Sequence, residues 1–399
     1  MKVSSKENLT ILTSLLFSLY VFLTLRPVLI ASFPFQEKIF YLTIFCLLVL
    51  LLAFSNIIRA DVSNYGLVFF IVGLTIFVYL VKDHRPIWFV FNFPLFLLLL
   101  VFDRNIARIM ALLFLKLIST ILFLGLIVHV ALLLGVSLPS FNILHTAGDI
   151  NGIYYESYIF SNYAVHNGIV NYRFSSVFDE PGLVGTMCAF LLFSLSWKLN
   201  SWYSKVILLS GIFSLSMAFI ILSFVGFLLV NWKRSIKQAP IFLMCIGLSF
   251  VAIKYIFGVN SSIYYYTFGR LLSSNFDNRN VGLFVDMWSY YIDNMSLYAF
   301  IFGSDLSSLN MNTESYSILL FIHDYGFGII FLIITTSIIA FSRYLRKVSY
   351  LIPFTVIWLL SMYQRPDLYR PIYITYAVIF SLSSGGFLGQ ESHKKDNNK

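Results

Sequence analysis

Runs of about 20 apolar residues follow one another along most of the chain, and each is long enough to cross a bilayer core about 30 Å thick. The pattern predicts spans over 9–31, 39–55, 65–81, 86–102 and 109–136, then a polar loop over 137–180. A span over 181–197 comes next, followed by the apolar run Tyr203–Val230, which is too long for one ordinary crossing and short for two. A span over 240–257, a second polar loop over 258–312, and spans over 313–341, 349–363 and 370–387 complete the chain.

Loop charge orients these elements. Of the 27 Lys and Arg residues, sixteen fall in one set of inter-span segments, which includes both termini. Nine fall in the alternate set: Arg26, Lys38, Lys82, Arg85, Arg173, Arg270, Arg279, Arg365 and Arg370. Lys116 and Lys254 lie inside spans. Cytoplasmic loops carry the excess of positive charge, so the first set and both termini are expected in the cytoplasm. Both flanks of Tyr203–Val230 then lie on the cytoplasmic side, and the run has to turn back, as a two-helix hairpin or as one crossing plus a re-entrant segment. Counting it as two gives about 12 transmembrane helices, with both long loops facing outward. The expected fold class is therefore all-α: a polytopic integral membrane protein, one membrane domain over 1–399, with two large extracytoplasmic loops.

Composition agrees, with 59% hydrophobic residues, a mean hydropathy of +0.84 and only 11% charged residues. A net charge of +9 would suit nucleic acid if it were clustered. Here the positives are scattered through short loops, as topology signals facing anionic lipid headgroups. Met1–Glu7 is basic, and the apolar run after it continues past Leu25 without a small-residue cleavage site, so no removable signal peptide is expected. Cys46, Cys188 and Cys245 lie within apolar runs without metal-ligand spacing and read as small buried hydrophobes.

The polar groups gather in a few places. Asn171–Gly185, reading NYRFSSVFDEPGLVG, packs Arg173, Asp179, Glu180, a proline and two glycines against the start of an apolar span. A helix beginning at Pro181 has unpaired N–H groups at its first turn, and Pro suits that position. Arg173, a few residues upstream, can fold over that helix start and hold an anionic group with its planar fork of donors. The plainer reading is a helix cap with a surface ion pair between Arg173 and Asp179 or Glu180, worth little.

The first loop also carries Tyr154, Tyr155, Tyr158, Phe160, Tyr163, Tyr172, Phe174 and Phe178 beside Asp149 and Glu156. Aromatic faces with carboxylates suit carbohydrate, and an interfacial aromatic belt is the alternative. Asp149-Ile-Asn151-Gly152 lacks calcium-loop spacing and reads as a turn. In the second loop, Arg270 and Arg279 precede Phe284, Met287, Trp288, Tyr291 and Met295 at helical spacing, which suits a surface helix. Ile301-Phe302-Gly303 reads as a turn. Glu314 and then His323-Asp324 sit inside the following span, where ionisable groups are costly and mark a functional site by default. His323 as a neutral packing residue is the alternative.

Two outward loops with arginines, the stretch RFSSVFDEPGLVG and the stretch NTESYSILLFIHDYGFGIIFL together resemble the O-antigen polymerase (Wzy-type) family, within the wider O-antigen polymerase and ligase group. The resemblance covers the layout of the whole chain, and its specific part is confined to those two stretches. It implies a GT-C-like membrane fold and a metal-independent, inverting glycosyltransferase in the bacterial cytoplasmic (inner) membrane. Its substrates would be undecaprenyl-pyrophosphate-linked oligosaccharide repeat units, joined into O-antigen or capsular polysaccharide on the outer membrane face. Its partners would be membrane lipids and a chain-length regulator protein, with no nucleic acid and no cofactor.

On that reading Arg173 with Arg270 or Arg279 binds pyrophosphate, while Glu180, Glu314 and His323 are the candidates for general base or acceptor site. The chemistry is coherent, because a pyrophosphate leaving group needs its growing negative charge stabilised and a sugar hydroxyl needs a base. The chain contains no Gly-Lys-[Ser/Thr] phosphate loop, no Gly-x-Gly-x-x-Gly and no Asp-x-Asp metal pair. Two alternatives are a ligase passing glycan to a lipid A core, which predicts a histidine in 258–312 where there is none, and a non-enzymatic lipid-linked sugar flippase. A flippase would spread charge through its spans and keep its outer loops short.

Overall fold

The computed structural model describes residues 5–25, 104–144, 153–166, 169–170, 173–230, 295–304, 318–345, 347–364 and 370–384, with a few isolated positions besides. The expected spans at 39–55, 65–81, 86–102 and 240–257 lie, isolated positions apart, outside the described residues, as do Asp149–Gly152 and nearly all of 258–294. The described part is mostly helical. It holds α1 (Ser5–Leu23), α2 (Arg104–Leu133), β1 (Phe141–Leu144), β2 (Ile153–Ser157), β3 (Asn162–His166), β4 (Ile169–Val170), α3 (Pro181–Ser194), α4 (Trp202–Phe213) and α5 (Met217–Val230). After these come α6 (Leu297–Phe302), α7 (Ile318–Ser342), α8 (Val348–Gln364) and α9 (Pro371–Ser384). The chain divides into two units: Met1–Ile57 with Arg104–Ser274 and Thr375–Lys399, and Ile58–Asp103 with Asn275–Ile374.

In the first unit, α2 is the long element, 30 residues or about 45 Å, apolar enough to cross a membrane. It ends as the sequence directs. Gly135, at φ 80°, donates its N–H to Leu132 O while Val136 donates to Ala131 O, the paired bonds that close a helix on a left-handed glycine. α1 packs along α2, and Ser18 Oγ donates both to Ser14 O in its own helix and, at 2.8 Å, to Met110 O of α2.

α3 begins at Pro181, as predicted, with Glu180 in extended conformation as its N-cap. Every residue from Leu183 to Ser194 is buried, which fits a helix apolar on all sides. Around it pack α4, α5 and the part of α9 from Thr375 onward. The contacts are specific: Phe190 stacks on Tyr376 and Phe193 on Phe380, each with ring centroids 4.7 Å apart. At the far end Ser383 Oγ donates to Ser194 O at 2.6 Å, and Lys198 Nζ donates to Ser383 O at 2.6 Å, a cation placed on the carbonyl end of α9.

The apolar run Tyr203–Val230 is broken, at Ser214-Leu215-Ser216, into α4 and α5 of 12 and 14 residues. Leu215 takes φ 47°, outside the helical region. At about 18 and 21 Å, neither helix alone covers a bilayer core of about 30 Å. The bend is tight enough that a Cβ on Gly211 would run into the ring of Phe219.

One expectation is corrected here. The loop 137–180 is not an irregular connection within an all-α fold, because it carries a four-stranded antiparallel meander in the order β1-β2-β3-β4. Ile143, Tyr155 and Ala164 stand in one cross-strand row and close, with Val28 just after α1, over a small core. Among the described residues, moreover, only α2 and Tyr325–Ser342 are long and apolar enough to cross a membrane, against about 12 expected spans. Several helices are shorter than their apolar runs, since breaks and ends fall inside stretches that hydropathy reads as continuous.

In the second unit, α7 has a break of its own. Gly326 sits at φ 73°, ψ 159°, inside what reads as one span. The cause is α6: a Cβ at Gly326 would strike the Gly303 amide and the Ile301 carbonyl, and Gly328 faces Ile301 as well. Phe300 stacks on Phe327 at 5.2 Å. Ile301-Phe302-Gly303 is the end of α6 rather than a free turn, with Gly303 at φ 76° donating to Ala299 O. Farther along, Phe341 meets Phe354 and Trp358 of α8 edge-on, at 5.0 and 5.1 Å.

Candidate functional site

The segment between Arg173 and Pro181 is the best-defined part of the predicted site. It runs from the end of the meander to the start of α3, and Phe174, Ser175, Ser176, Val177 and Phe178 are all buried. Its backbone is tied on several sides. Asn162 of β3 donates its N–H to Ser176 O at 2.8 Å, and Ser175 Oγ donates back to Asn162 O. Val28 donates to Val177 O at 2.8 Å, and Phe174 donates to Phe213 O, at the end of α4, at 3.1 Å. Ser176 holds φ 50°, and Gly125 of α2 leaves room for the segment, since a Cβ there would lie 2.8 Å from Ser176 Oγ and 2.7 Å from Phe160 O.

Arg173 is half-buried at the head of this segment. Its Nε donates to Ser214 O at 3.2 Å and its Nη2 to Leu215 O at 3.0 Å. Those carbonyls belong to the break between α4 and α5, where the terminal C=O groups of α4 lack helical partners and carry the negative end of its dipole. A guanidinium meets both needs, with two charge-assisted bonds from one planar group. Beside the two sequence expectations, a place over the start of α3 or a pairing with a neighbouring acid, these two bonds tie Arg173 to a helix break some forty residues later.

Gly185, in the first turns of α3, faces the same break. A Cβ there would overlap Ser216 Cβ and come within 3.0 Å of Ser214 Oγ. The two ends of the stretch RFSSVFDEPGLVG therefore close on Ser214–Ser216 from two directions. Asp179 is half-buried and Glu180 is exposed at the N-cap of α3, without a capping bond from its side chain to the helix.

Behind Arg173 lies a buried polar pair that hydropathy passes over. His129 of α2 is 1% exposed, and its Nδ1 shares a short hydrogen bond with the hydroxyl of Tyr163 from β3, itself 1% exposed. Phe174 and Phe213 stand edge-on to the imidazole, with centroids 5.3 and 5.5 Å away. The signal was present in the sequence: His129 is an ionisable side chain inside an apolar run, the same criterion that singled out His323.

Of the aromatics expected to face carbohydrate, Tyr155, Tyr163, Phe174 and Phe178 are buried and build the core of the meander and of the segment after it. Tyr154, Tyr158 and Phe160 are half-buried, and Tyr172 lies outside the described residues. Period-two burial in strands, with aromatic and β-branched residues turned inward, accounts for the cluster.

In the second unit His323 is 4% exposed on the N-terminal part of α7, three residues before the Gly326 break. Its carbonyl accepts the Ser304 N–H at 2.8 Å, which fastens the chain after α6 to that turn. Arg270, Arg279 and Glu314 lie outside the described residues, as does the side chain of Asp324.

The described residues are mostly helical, with two helices among them long and apolar enough to cross a membrane and a small β-meander beside one of these. Comparison of the chain with protein-family models, characterised proteins and solved structures gives no match.

Proposed function

We propose that this protein is a multi-pass membrane glycosyltransferase that joins lipid-pyrophosphate-linked oligosaccharide repeats into a polymer. The polymer is O-antigen or capsular polysaccharide, and the donor lipid is undecaprenyl pyrophosphate. Catalysis is on the outer face of the cytoplasmic membrane, with both termini inside and the loops 137–180 and 258–312 outside. The observation that carries this reading is the arrangement of Arg173. A half-buried guanidinium is held by two backbone carbonyls at the head of a tightly bonded segment that leads into the start of α3. An arginine fixed in this way presents positive charge without reorganising, which is what stabilising a departing pyrophosphate requires.

Arg173, with Arg270 or Arg279, is assigned to the pyrophosphate. Glu180, Glu314 and His323 are the candidates for activating the attacking hydroxyl or binding the acceptor. Exposed Glu180, next to the first turn of α3, suits a group that must meet a substrate from the aqueous side.

The test is the glycan length profile of host cells with and without the protein, paired with polymerisation of lipid-linked repeats by the purified protein in nanodiscs. Loss of the protein is expected to leave a single repeat. Long chains persisting without it would overturn the proposal, and long chains left unattached to their final acceptor would identify a ligase.

A further inference from the structure

We infer that His129 and Tyr163 form a positioning pair that fixes Arg173 against the break between α4 and α5. The role assigned to Arg173 rests on the function proposed above; the pair itself rests on geometry. The imidazole of His129 touches three elements at the residues that matter to Arg173. Its Nδ1 shares a hydrogen bond with the Tyr163 hydroxyl of β3. The ring meets, in T-shaped fashion, Phe174, next to Arg173 in the chain, and Phe213, next to Ser214, whose carbonyl accepts from Arg173 Nε. Phe174 N and Phe213 O are themselves bonded at 3.1 Å, so the ring closes over the strand of contacts that brings Arg173 to Ser214 and Leu215.

Tyr163 is held from its other side by Tyr158, edge-on with centroids 5.9 Å apart, and its neighbour Asn162 donates to Ser176 O beyond Arg173. The segment that follows Arg173 is thus held at Phe174, which meets the imidazole, and at Ser176, which is bonded by the chain neighbour of the imidazole's partner Tyr163. A packing role alone would be served by phenylalanine at either position. A buried imidazole and a buried phenol each cost free energy unless their polar atoms are paired, and here they are paired with each other. That shared bond fixes the rotation of both rings, and with it the register of 173–178 on α4.

Tyr163→Phe removes the hydroxyl and keeps the ring. Hydrogen–deuterium exchange of the full protein in nanodiscs should rise about tenfold across 173–178 while 183–193 of α3 stays unchanged, as expected for the loss of one buried hydrogen bond. His129→Phe should do the same. His129→Asn sets a polar atom where Nδ1 stands and should restore slow exchange. Unchanged exchange in Tyr163→Phe, or His129→Asn behaving like His129→Phe, would overturn the pair.

Polymerisation of lipid-linked repeats separates this inference from the function it serves. Tyr163→Phe should slow it about tenfold, and in an Arg173→Lys background it should slow it no further. An equal further loss in that background would show that the pair acts elsewhere than through Arg173, overturning the inference. Faster exchange with normal polymerisation would uphold the pair and overturn the catalytic role of Arg173. Should Tyr163→Phe fail to accumulate, His129→Asn and His129→Phe, compared with each other, decide by the same two readouts.

Discussion

Arg173 and Gly185 meet at the same helix break: the guanidinium of one bonds the carbonyls of Ser214 and Leu215, and the missing side chain of the other admits Ser214 and Ser216. In the sequence they are the two ends of the stretch RFSSVFDEPGLVG, one of the two that carry the family resemblance. In the fold they are first of all the two halves of one joint. The proposed function and the observed structural role therefore fall on the same residue, Arg173, and the first two predictions are arranged to separate them.

Gly185→Ala should destabilise the protein by about 1–3 kcal/mol, because the new methyl group meets Ser216 Cβ in a packed interior. Membrane abundance and thermal unfolding in detergent check this. Adding Ser216→Gly, which removes the atom struck, should recover a large part of the loss. A double variant no better than the single one would mean that the close approach is not what the glycine serves.

For Arg173→Lys, charge is kept and the planar two-donor geometry is lost. A charge-assisted bond lost here is worth about 1.5–3 kcal/mol, or roughly 10- to 100-fold in rate if it strengthens in the transition state. Short glycan chains at normal abundance are expected, with Arg173→Ala more severe. Long chains at normal abundance in both variants would sink the catalytic role and leave Arg173 a helix-terminus residue.

Gly326→Ala should be poorly tolerated for two independent reasons. The backbone sits at φ 73°, and the added Cβ is aimed at the backbone of Ile301 and Gly303 rather than at a movable side chain. We expect at least about 1–2 kcal/mol of destabilisation from the conformation alone, seen as reduced abundance, with Gly328→Ala milder because the nearest atom it meets is an Ile301 side-chain methyl group.

Topology is predicted from the sixteen-to-nine asymmetry of loop charge. Reporters fused at Leu144 or Ser307 should behave as extracytoplasmic, and those at Lys237 or the C-terminus as cytoplasmic. A cytoplasmic signal from Ser307 would put the two arginine-bearing loops on opposite faces and end any single-site reading.

The fifth prediction concerns metal. If arginines are the pyrophosphate's main partners, purified protein should polymerise lipid-linked repeats in excess chelator. Loss of activity with EDTA, restored by magnesium, would move attention to Asp179 and Glu180 as ligands.

What could be read from the sequence was local. Pro181 announced the start of α3 because its ring suits the first helical position, and Gly135 and Gly303 close α2 and α6 for equally local reasons. The helical runs at 104–133, 348–364 and 371–384 lie close to the predicted spans at 109–136, 349–363 and 370–387. That Tyr203–Val230 is interrupted was legible from loop charge; the position of its break, and the break at Gly326, were not. Ser214-Leu215-Ser216 contains neither glycine nor proline, and nothing nearby forbids a continuous helix; the groups that meet the break arrive from Arg173 and α3. The meander was hidden for a different reason. Its strands are short and rich in tyrosine, and at a membrane boundary tyrosine has a ready explanation as an interfacial anchor. Tyr155 and Val165, buried on neighbouring strands of one sheet, show that the loop has an interior of its own.

The break between α4 and α5 also bears on how the protein is made. Its partner, Arg173, is synthesised about forty residues earlier and, on the proposed topology, has already crossed to the outer side when Tyr203–Val230 leaves the ribosome. That run therefore enters the bilayer before the carbonyls of Ser214 and Leu215 have met their cation, and as a single apolar stretch it can begin as one uninterrupted helix. The bend is then acquired afterwards, on the meander's arrival. On that order of events the bend is a late feature of the folding chain, and residues 202–230 of a chain lacking Arg173 are expected to bend more slowly while still reaching normal abundance.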